Sequence, residues 1–261
     1  IRVHQLAIQL DSPPLIRLTR LRKILTHRLD MKSVFCHNAE LRVEEHPKLI
    51  PSKGHVLLEV VRCGICGSDL HMQHHCNHMH DLASRVGFNG VAQSSDRFVM
   101  GHEFCGKVLD YGVKTRRKFK ADTLVCAMPL LNVDSLGYQP TGLSPNAAGA
   151  YAEQVLVQSS LMFEVPNGLE ADRAALTEPM AVALHAVRRS RIKTSEPAIV
   201  IGCGPVGLGV ILMLKAAGVK QDMGFITSQI GMFSYSGLTK DQMVRLRSEF
   251  GVYGTDTGRM C

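Results

Sequence analysis

No uninterrupted apolar run in this 261-residue sequence reaches the roughly 18 residues that a membrane-spanning helix requires, so the sequence offers no candidate span. The longest run, near Val206 to Met213, sits in a helical pattern. Acidic counter-charge is scarce at the start: residues 1–30 carry Arg2, Arg17, Arg20, Arg22, Lys23 and Arg28 against Asp11 and Asp30, which is +4 of the net +7. The remainder is close to balanced. With no aromatics interleaved among the basic residues and no recognisable nucleic-acid module, DNA and RNA are not expected as partners. Eight cysteines do not make a disulfide scaffold in a chain this long, and they stand beside histidines and metal-ligand motifs, so a reducing, cytoplasmic setting is expected. A composition of 45% hydrophobic and 20% charged residues is that of a globular chain, long enough for one large domain or two.

The densest chemistry lies in Val60-Val61-Arg62-Cys63-Gly64-Ile65-Cys66-Gly67-Ser68-Asp69-Leu70-His71. It starts as an apolar strand candidate and breaks on two glycines into a loop bearing a thiol, a hydroxyl, a carboxylate and an imidazole. Gly101-His102-Glu103 follows within Phe98 to Leu109, which reads as a second strand. Cys66, His102 and Glu103 are zinc-ligand types, and three protein ligands with one open position is the pattern of a catalytic metal site. Cys63, Cys105 and Cys126, on apolar strand candidates, read instead as small core residues. Further strand candidates at Ser33 to Phe35, Val56 to Arg62, Thr123 to Met128 and Tyr151 to Val157, punctuated by prolines, give an all-β rhythm with long loops. His71 to Asp81 holds His71, His74, His75, His78, His80 and Cys76; its spacing fits no tetrahedral motif, so it reads as a solvated loop over a cleft, with a second metal as the alternative. Downstream, the apolar run Pro197 to Ile201 leads into Gly202-Cys203-Gly204-Pro205-Val206-Gly207 and then helical spacing from Leu208 to Ala217. A glycine turn between strand and helix brings backbone N–H groups up to a pyrophosphate.

CGICGSDLH, GHEFCGKV, AGAYAEQVLV, LTEPMAVALHAV and VIGCGPVGLGV occur in that order, and the stretch from about 31 to 220 resembles the medium-chain, zinc-dependent alcohol and polyol dehydrogenases. The resemblance implies a GroES-like, β-rich catalytic domain over 31–180 and the first βα unit of a truncated Rossmann domain over 181–220. It implies one catalytic Zn2+ on Cys66, His102 and Glu103, with Glu178 of Thr177-Glu178-Pro179 either ligating the metal or reaching it through water. Ser68 and His71 match the proton relay, and Asp69 a position that orients its neighbours. Gly202, Gly204 and Gly207 match the turn that binds NAD or NADP. The implied substrate is a small secondary alcohol or polyol, and association into a homo-oligomer would be in keeping with the family.

Three departures bound this reading. The lobe in which many relatives carry four cysteines for a structural zinc reads here Leu130-Leu131-Asn132-Val133-Asp134, so one zinc is expected and not two. The acidic residue that should receive the ribose hydroxyls is missing, Asp222 standing too early, and no second strand–helix repeat follows. Residues 221–261, including Phe233, the amphipathic stretch Asp241 to Phe250 and Arg259, resemble the C-terminal segment of aspartate aminotransferases, so the fold class expected is mixed β and α/β with an unrelated α/β tail. Residues 1–30 form a basic extension with Leu18, Leu21, Leu25 and Leu29 on one helical face. Met31 reads as the native start and the extension as a leader, with a targeting presequence or a functional basic arm as alternatives. Two function classes stay open: a zinc- and NAD(P)-dependent dehydrogenase, and a catalytically inactive zinc-binding chimera of a dehydrogenase half and an aminotransferase tail.

Overall fold

The computed structural model describes residues 30–202, 204–219, 234–235, 238–251, 256 and 259–260. The leader expected over 1–30 lies outside them but for Asp30, as do Asp222 and Phe233. The chain forms two compact units that divide between Ala175 and Leu176, where the sequence reading drew its boundary at 180.

In the first unit, strands β1 (Asp30–His37), β2 (Glu40–Pro47) and β4 (Phe98–Val99) form an antiparallel sheet in the order β2-β1-β4. A five-stranded antiparallel sheet follows the order β10 (Met162–Glu164), β6 (Leu124–Ala127), β5 (Phe104–Tyr111), β3 (His55–Cys63) and β9 (Gln154–Gln158). Its core is built from Val56, Leu58, Phe104, Val108, Val125, Val155, Val157 and Met162, so the β-branched runs legible in the sequence are the strands buried deepest. β2 escaped the sequence reading because only Leu41 and Val43 alternate in a strand that is otherwise charged or polar, and as an outer strand it is exposed along most of its length. Where the four-cysteine lobe would stand, β7 (Leu130–Val133) and β8 (Gly137–Pro140) make a short hairpin.

Two expectations are corrected here. Phe98 to Leu109 is not one strand: it is interrupted at Met100-Gly101-His102-Glu103 between β4 and β5. Gly101 takes φ +97, and a Cβ there would sit 2.6 Å from the Tyr151 ring and 2.8 Å from its backbone nitrogen, so the chain departs from the ladder at the one residue that tolerates both. The His71 to Asp81 run is not a solvated loop either. It lies in helix α1 (Gly67–Arg85), bent at His75. Met72 and Cys76 are buried, and Met79 and Ala83 half-buried, against Cys36, Val91, Ala92, Phe98 and Met100. That spacing of four, three and four residues is a helical stripe, and it anchors the helix while the histidines crowd the outside.

The second unit contains helices α3 (Thr177–Ser190) and α4 (Pro205–Ala216), packed through Val187 and Leu214 with Val210 and Met213 alongside. A short α2 (Ala171–Ala174) closes the first unit. Pro197 to Ile201, expected as a strand, has no strand partner among the described residues, and Ile199 and Ile201 are exposed. One βα unit supplies no neighbouring strand to satisfy its ladder. α5 (Lys240–Phe250) starts at a Thr239 cap, whose hydroxyl accepts from the Gln242 N–H, matching the expected amphipathic stretch. Strands β11 (Ser234–Tyr235) and β12 (Arg259–Met260) pair antiparallel. Among the described residues no helix is long and apolar enough to cross a membrane.

The two faces of α1 differ in what they bear. Met72→Ala, at a fully buried site, should cost about 2–5 kcal/mol of unfolding free energy, and His74→Ala, on the exposed face, less than about 0.5 kcal/mol. Urea denaturation of both variants checks this, and equal losses would contradict the orientation of the helix.

Candidate metal centre

β3 ends at Cys63, and the chain turns through Gly64-Ile65-Cys66 into α1. Cys66 precedes the helix in extended conformation (φ −87, ψ 152), and its N–H donates to Oδ2 of Asp69 at 2.9 Å, which closes the first turn. The sulfur therefore belongs to a helix N-terminus, where backbone N–H groups favour negative charge. The irregular segment after β4 approaches from the other side: the Gly64 N–H donates to the Glu103 carbonyl at 2.7 Å. A Cβ on Gly64 would lie 2.5 Å from Glu103 Oε2, so the missing side chain makes the space that the carboxylate occupies.

One ligand atom each from Cys66, His102 and Glu103 lie within 4.8 Å of one another. His102 and Glu103 are buried and Cys66 is half-buried. Ser68 Oγ stands 3.3 Å from His102 Nε2. Sulfur, nitrogen and oxygen donors at this spacing suit a borderline-soft divalent ion such as zinc.

Asp69 holds the arrangement. The Tyr151 hydroxyl donates to its Oδ2 at 2.8 Å, with the Gly64 carbonyl a second acceptor at 3.1 Å. Its Oδ1 faces His102 Nδ1 at 3.2 Å, an ion-pair distance with imperfect hydrogen-bond alignment, and both atoms are buried with no other partner. A proton on Nδ1 directed at Asp69 leaves the Nε2 lone pair for a metal. Burial disfavours the charged imidazole, but the Asp69 carboxylate and the Cys66 sulfur outweigh it and push His102 up to about 9. Burial likewise works against the Asp69 charge, yet His102, the Cys66 N–H and the Tyr151 hydroxyl hold that carboxyl below its usual range. The Tyr151 phenol is pushed up by burial and by Asp69, which keeps it a donor. Burial, with the charges of Asp69 and Glu103 behind it, lifts the Cys63 thiol to about 12, so Cys63 is no competitor as a thiolate. Cys105 and Cys126 are buried opposite one another on β5 and β6, as core positions.

The remaining candidates stand elsewhere. His71 is exposed on the next turn of α1, with His75 and His78 as its ring neighbours. Glu178 is in the first turn of α3, in the second unit. Gly202, before α4, and Gly207, in its first turn, approach closely: Gly202 has φ +97, and a Cβ on Gly207 would fall 1.9 Å from the Gly202 carbonyl oxygen. Gly204 precedes α4 with open space at its Cα. Sequence reasoning missed Tyr151 and Gly64. Both lay inside quoted motifs, but only the folded chain shows that the phenol reaches the carboxylate and that the glycine yields room to Glu103.

Residues 52–167 match the alcohol dehydrogenase GroES-like domain family. The chain is 37% identical over 206 residues to (R,R)-butanediol dehydrogenase of Bacillus subtilis strain 168, which covers 72% of this chain and 56% of that protein. It is 30% identical over 210 residues to sorbitol dehydrogenase of the same organism, covering 74% and 56%. Among solved structures, 2R,3R-butanediol dehydrogenase from Bacillus subtilis superposes with a TM-score of 0.58 at 34% identity, covering 72% of this chain and 55% of that one. A protein assigned as a zinc-binding dehydrogenase, from Sinorhizobium meliloti 1021 and bound to NADP, gives 0.60 at 26% identity, covering 73% and 54%. The chain thus spans about half the length of the curated relatives it matches.

With metal stripped, the His102–Asp69 pair contributes stability that is complete below the ordinary imidazole value of 6.5 and is lost as pH rises through about 9. The thermal midpoint of the metal-free chain should fall across that window, and Asp69→Asn should flatten the slope. A flat wild-type profile would contradict the pairing. Zinc should reverse the trend, since the thiolate and the neutral imidazole are the ligand forms.

Proposed function

We propose that this chain belongs to the medium-chain, zinc-dependent alcohol and polyol dehydrogenases, and that its first unit is their catalytic half, acting on a small secondary alcohol or polyol with NAD or NADP. The observation that carries the reading is the convergence of Cys66, His102 and Glu103 beside Ser68, inside a domain matched to the alcohol dehydrogenase GroES-like family. Butanediol and sorbitol are the substrates named for two relatives, which makes a vicinal diol the first class to test. Glu178 is proposed as a fourth ligand for the metal, direct or through water. A cytoplasmic setting and a homo-oligomer are proposed with the family.

Zinc on the three ligands would supply Lewis acidity to the substrate oxygen, and the nicotinamide would accept the hydride. The protein's own groups do the rest. Asp69 fixes the tautomer and orientation of His102, and Tyr151 fixes Asp69. Ser68, beside Nε2, would take the proton of the reacting hydroxyl and pass it through the cofactor ribose, and His71, exposed one turn along α1, would release it to water. Gly202, Gly204 and Gly207 would let the backbone at the start of α4 come close to a pyrophosphate.

A second reading rests on a specific observation. Residues 197–201 form no strand, with Ile199 and Ile201 exposed, so the nucleotide-binding stretch 181–220 holds no sheet among the described residues. On that reading the chain is a zinc-binding hybrid without turnover, its tail taken from an aminotransferase-like sequence. Purified chain with zinc, NAD or NADP and a vicinal diol separates the two. Formation of NAD(P)H supports the dehydrogenase, and bound zinc with no NAD(P)H supports the hybrid.

The ligand set has its own test. Zinc that stays with the protein through desalting should be lost in Cys66→Ala and kept in Cys126→Ala. Zinc retained by the first variant, or lost by the second, would contradict the assignment.

A further inference from the structure

The sheet β2-β1-β4 ends at β2, which has a strand on one side only among the described residues. The direction of its outer backbone groups follows from the ladder beside it. The Val34 N–H donates to the Tyr151 carbonyl at 2.7 Å, and the Lys32 carbonyl accepts from the Glu153 N–H at 3.1 Å, so these residues of β1 point their backbone groups away from β2. Val43 stands opposite Val34, and Leu41 opposite Cys36 repeats that geometry two residues on. In an antiparallel pair the partners of such residues also face outward, so Val43 and Leu41 turn their N–H and C=O groups to the open side. Their side chains are 69% and 46% exposed, which leaves two apolar groups along an edge able to pair.

The charges on the other face of β2 select what can pair there. Glu40, Arg42, Glu44 and His46 alternate with the apolar pair and share one face. Arg42 reaches Glu40 at 2.5 Å, and Glu44 is ion-paired with Arg97. A row of one sign would repel its own copy, but this row alternates. With a second β2 antiparallel about a two-fold axis at Val43, Arg42 of each copy stands opposite Glu44 of the other, and Glu40 opposite His46. Moving the axis to Arg42 opposes Arg42 to itself and Glu40 to Glu44; moving it to Glu44 opposes Glu44 to itself. Like charges directly opposite are destabilising, so both neighbouring registers are disfavoured. An axis at Leu41 would carry the pairing off the strand into Asn38 and Ala39, which have φ 48 and 64.

We propose that β2 is a self-complementary interface that pairs with β2 of a second copy of this chain, antiparallel about a two-fold axis at Val43, and so joins the two three-stranded sheets into one. Backbone hydrogen bonds at Val43 and the facing Val43 side chains form the centre, and the two Arg42–Glu44 pairs fix the register. The surface lies on the first unit, uses none of the residues of the metal centre and does not depend on the function proposed for them.

The test traps the register in the full chain. On the axis, Val43 meets its own copy at the Cα separation of a hydrogen-bonded pair, about 5.5 Å, which is within disulfide reach. Leu41 and its copy are four residues apart along the strands, roughly 13 Å at about 3.3 Å per residue, which is beyond it. Under mild oxidation Val43→Cys should therefore give a covalent dimer above the wild-type background of the native cysteines, and Leu41→Cys should not. In sedimentation equilibrium the wild type should rise toward twice the mass of one chain as concentration increases. Arg42→Glu, which sets a like charge against Glu44, should stay at the mass of one chain. No covalent dimer of Val43→Cys, equal trapping by Leu41→Cys, or a wild type of single-chain mass at every concentration would overturn the proposal. So would an Arg42→Glu chain that associates as the wild type does. All three substituted positions are exposed, and circular dichroism of each variant shows that the strands are retained.

Discussion

One buried carboxylate ties together three segments that are far apart in sequence. Asp69 receives the N–H of Cys66 from its own helix start, the hydroxyl of Tyr151 from the approach to β9, and the ring edge of His102 from the break between β4 and β5. A buried anion is tolerated only when it is compensated, so these partners are conditions for one another. Without Asp69, the Cys66 turn loses its cap, His102 loses its orientation and Tyr151 loses the acceptor that justifies its position. The metal centre is therefore best seen as the outer surface of a polar knot whose inside is Asp69.

How the chain reaches that knot explains which parts of it the sequence revealed. Cys66, His102 and Glu103 were legible because donor chemistry is a property of residue type, and the two short motifs that contain them are distinctive. The strands from Val56, Thr123 and Tyr151 were legible because they are buried and β-branched. The break at Met100 to Glu103 was not, since His102 and Glu103 sit in a run of apolar residues that a period-of-two reading extends straight through. Only the left-handed Gly101 against the Tyr151 ring shows why the strand stops. The helix α1 was hidden differently: its many histidines drew attention to metal chemistry and away from Met72, Cys76, Met79 and Ala83, whose spacing is that of a helix.

The second unit shows a case in which local signals were right and still insufficient. Helix α4 formed where helical spacing predicts it, with Gly207 close against the Gly202 carbonyl. Pro197 to Ile201 has strand composition but no strand beside it among the described residues, and a β-strand is a property of a pair. Helix α3, by contrast, packs on α4 through Ala183 and Gly209, whose added Cβ would stand 3.0 Å from that alanine, because two helices can satisfy their backbones alone and need only a shared apolar seam.

The account stands on the claim that one sulfur and two lighter donors of this chain surround a single buried metal. X-ray absorption spectroscopy of the zinc-loaded, desalted protein measures this directly. The account predicts one sulfur neighbour at about 2.3 Å, with the remaining neighbours nitrogen or oxygen at about 2.0–2.2 Å. A first shell with no sulfur, or with two or more, would contradict it.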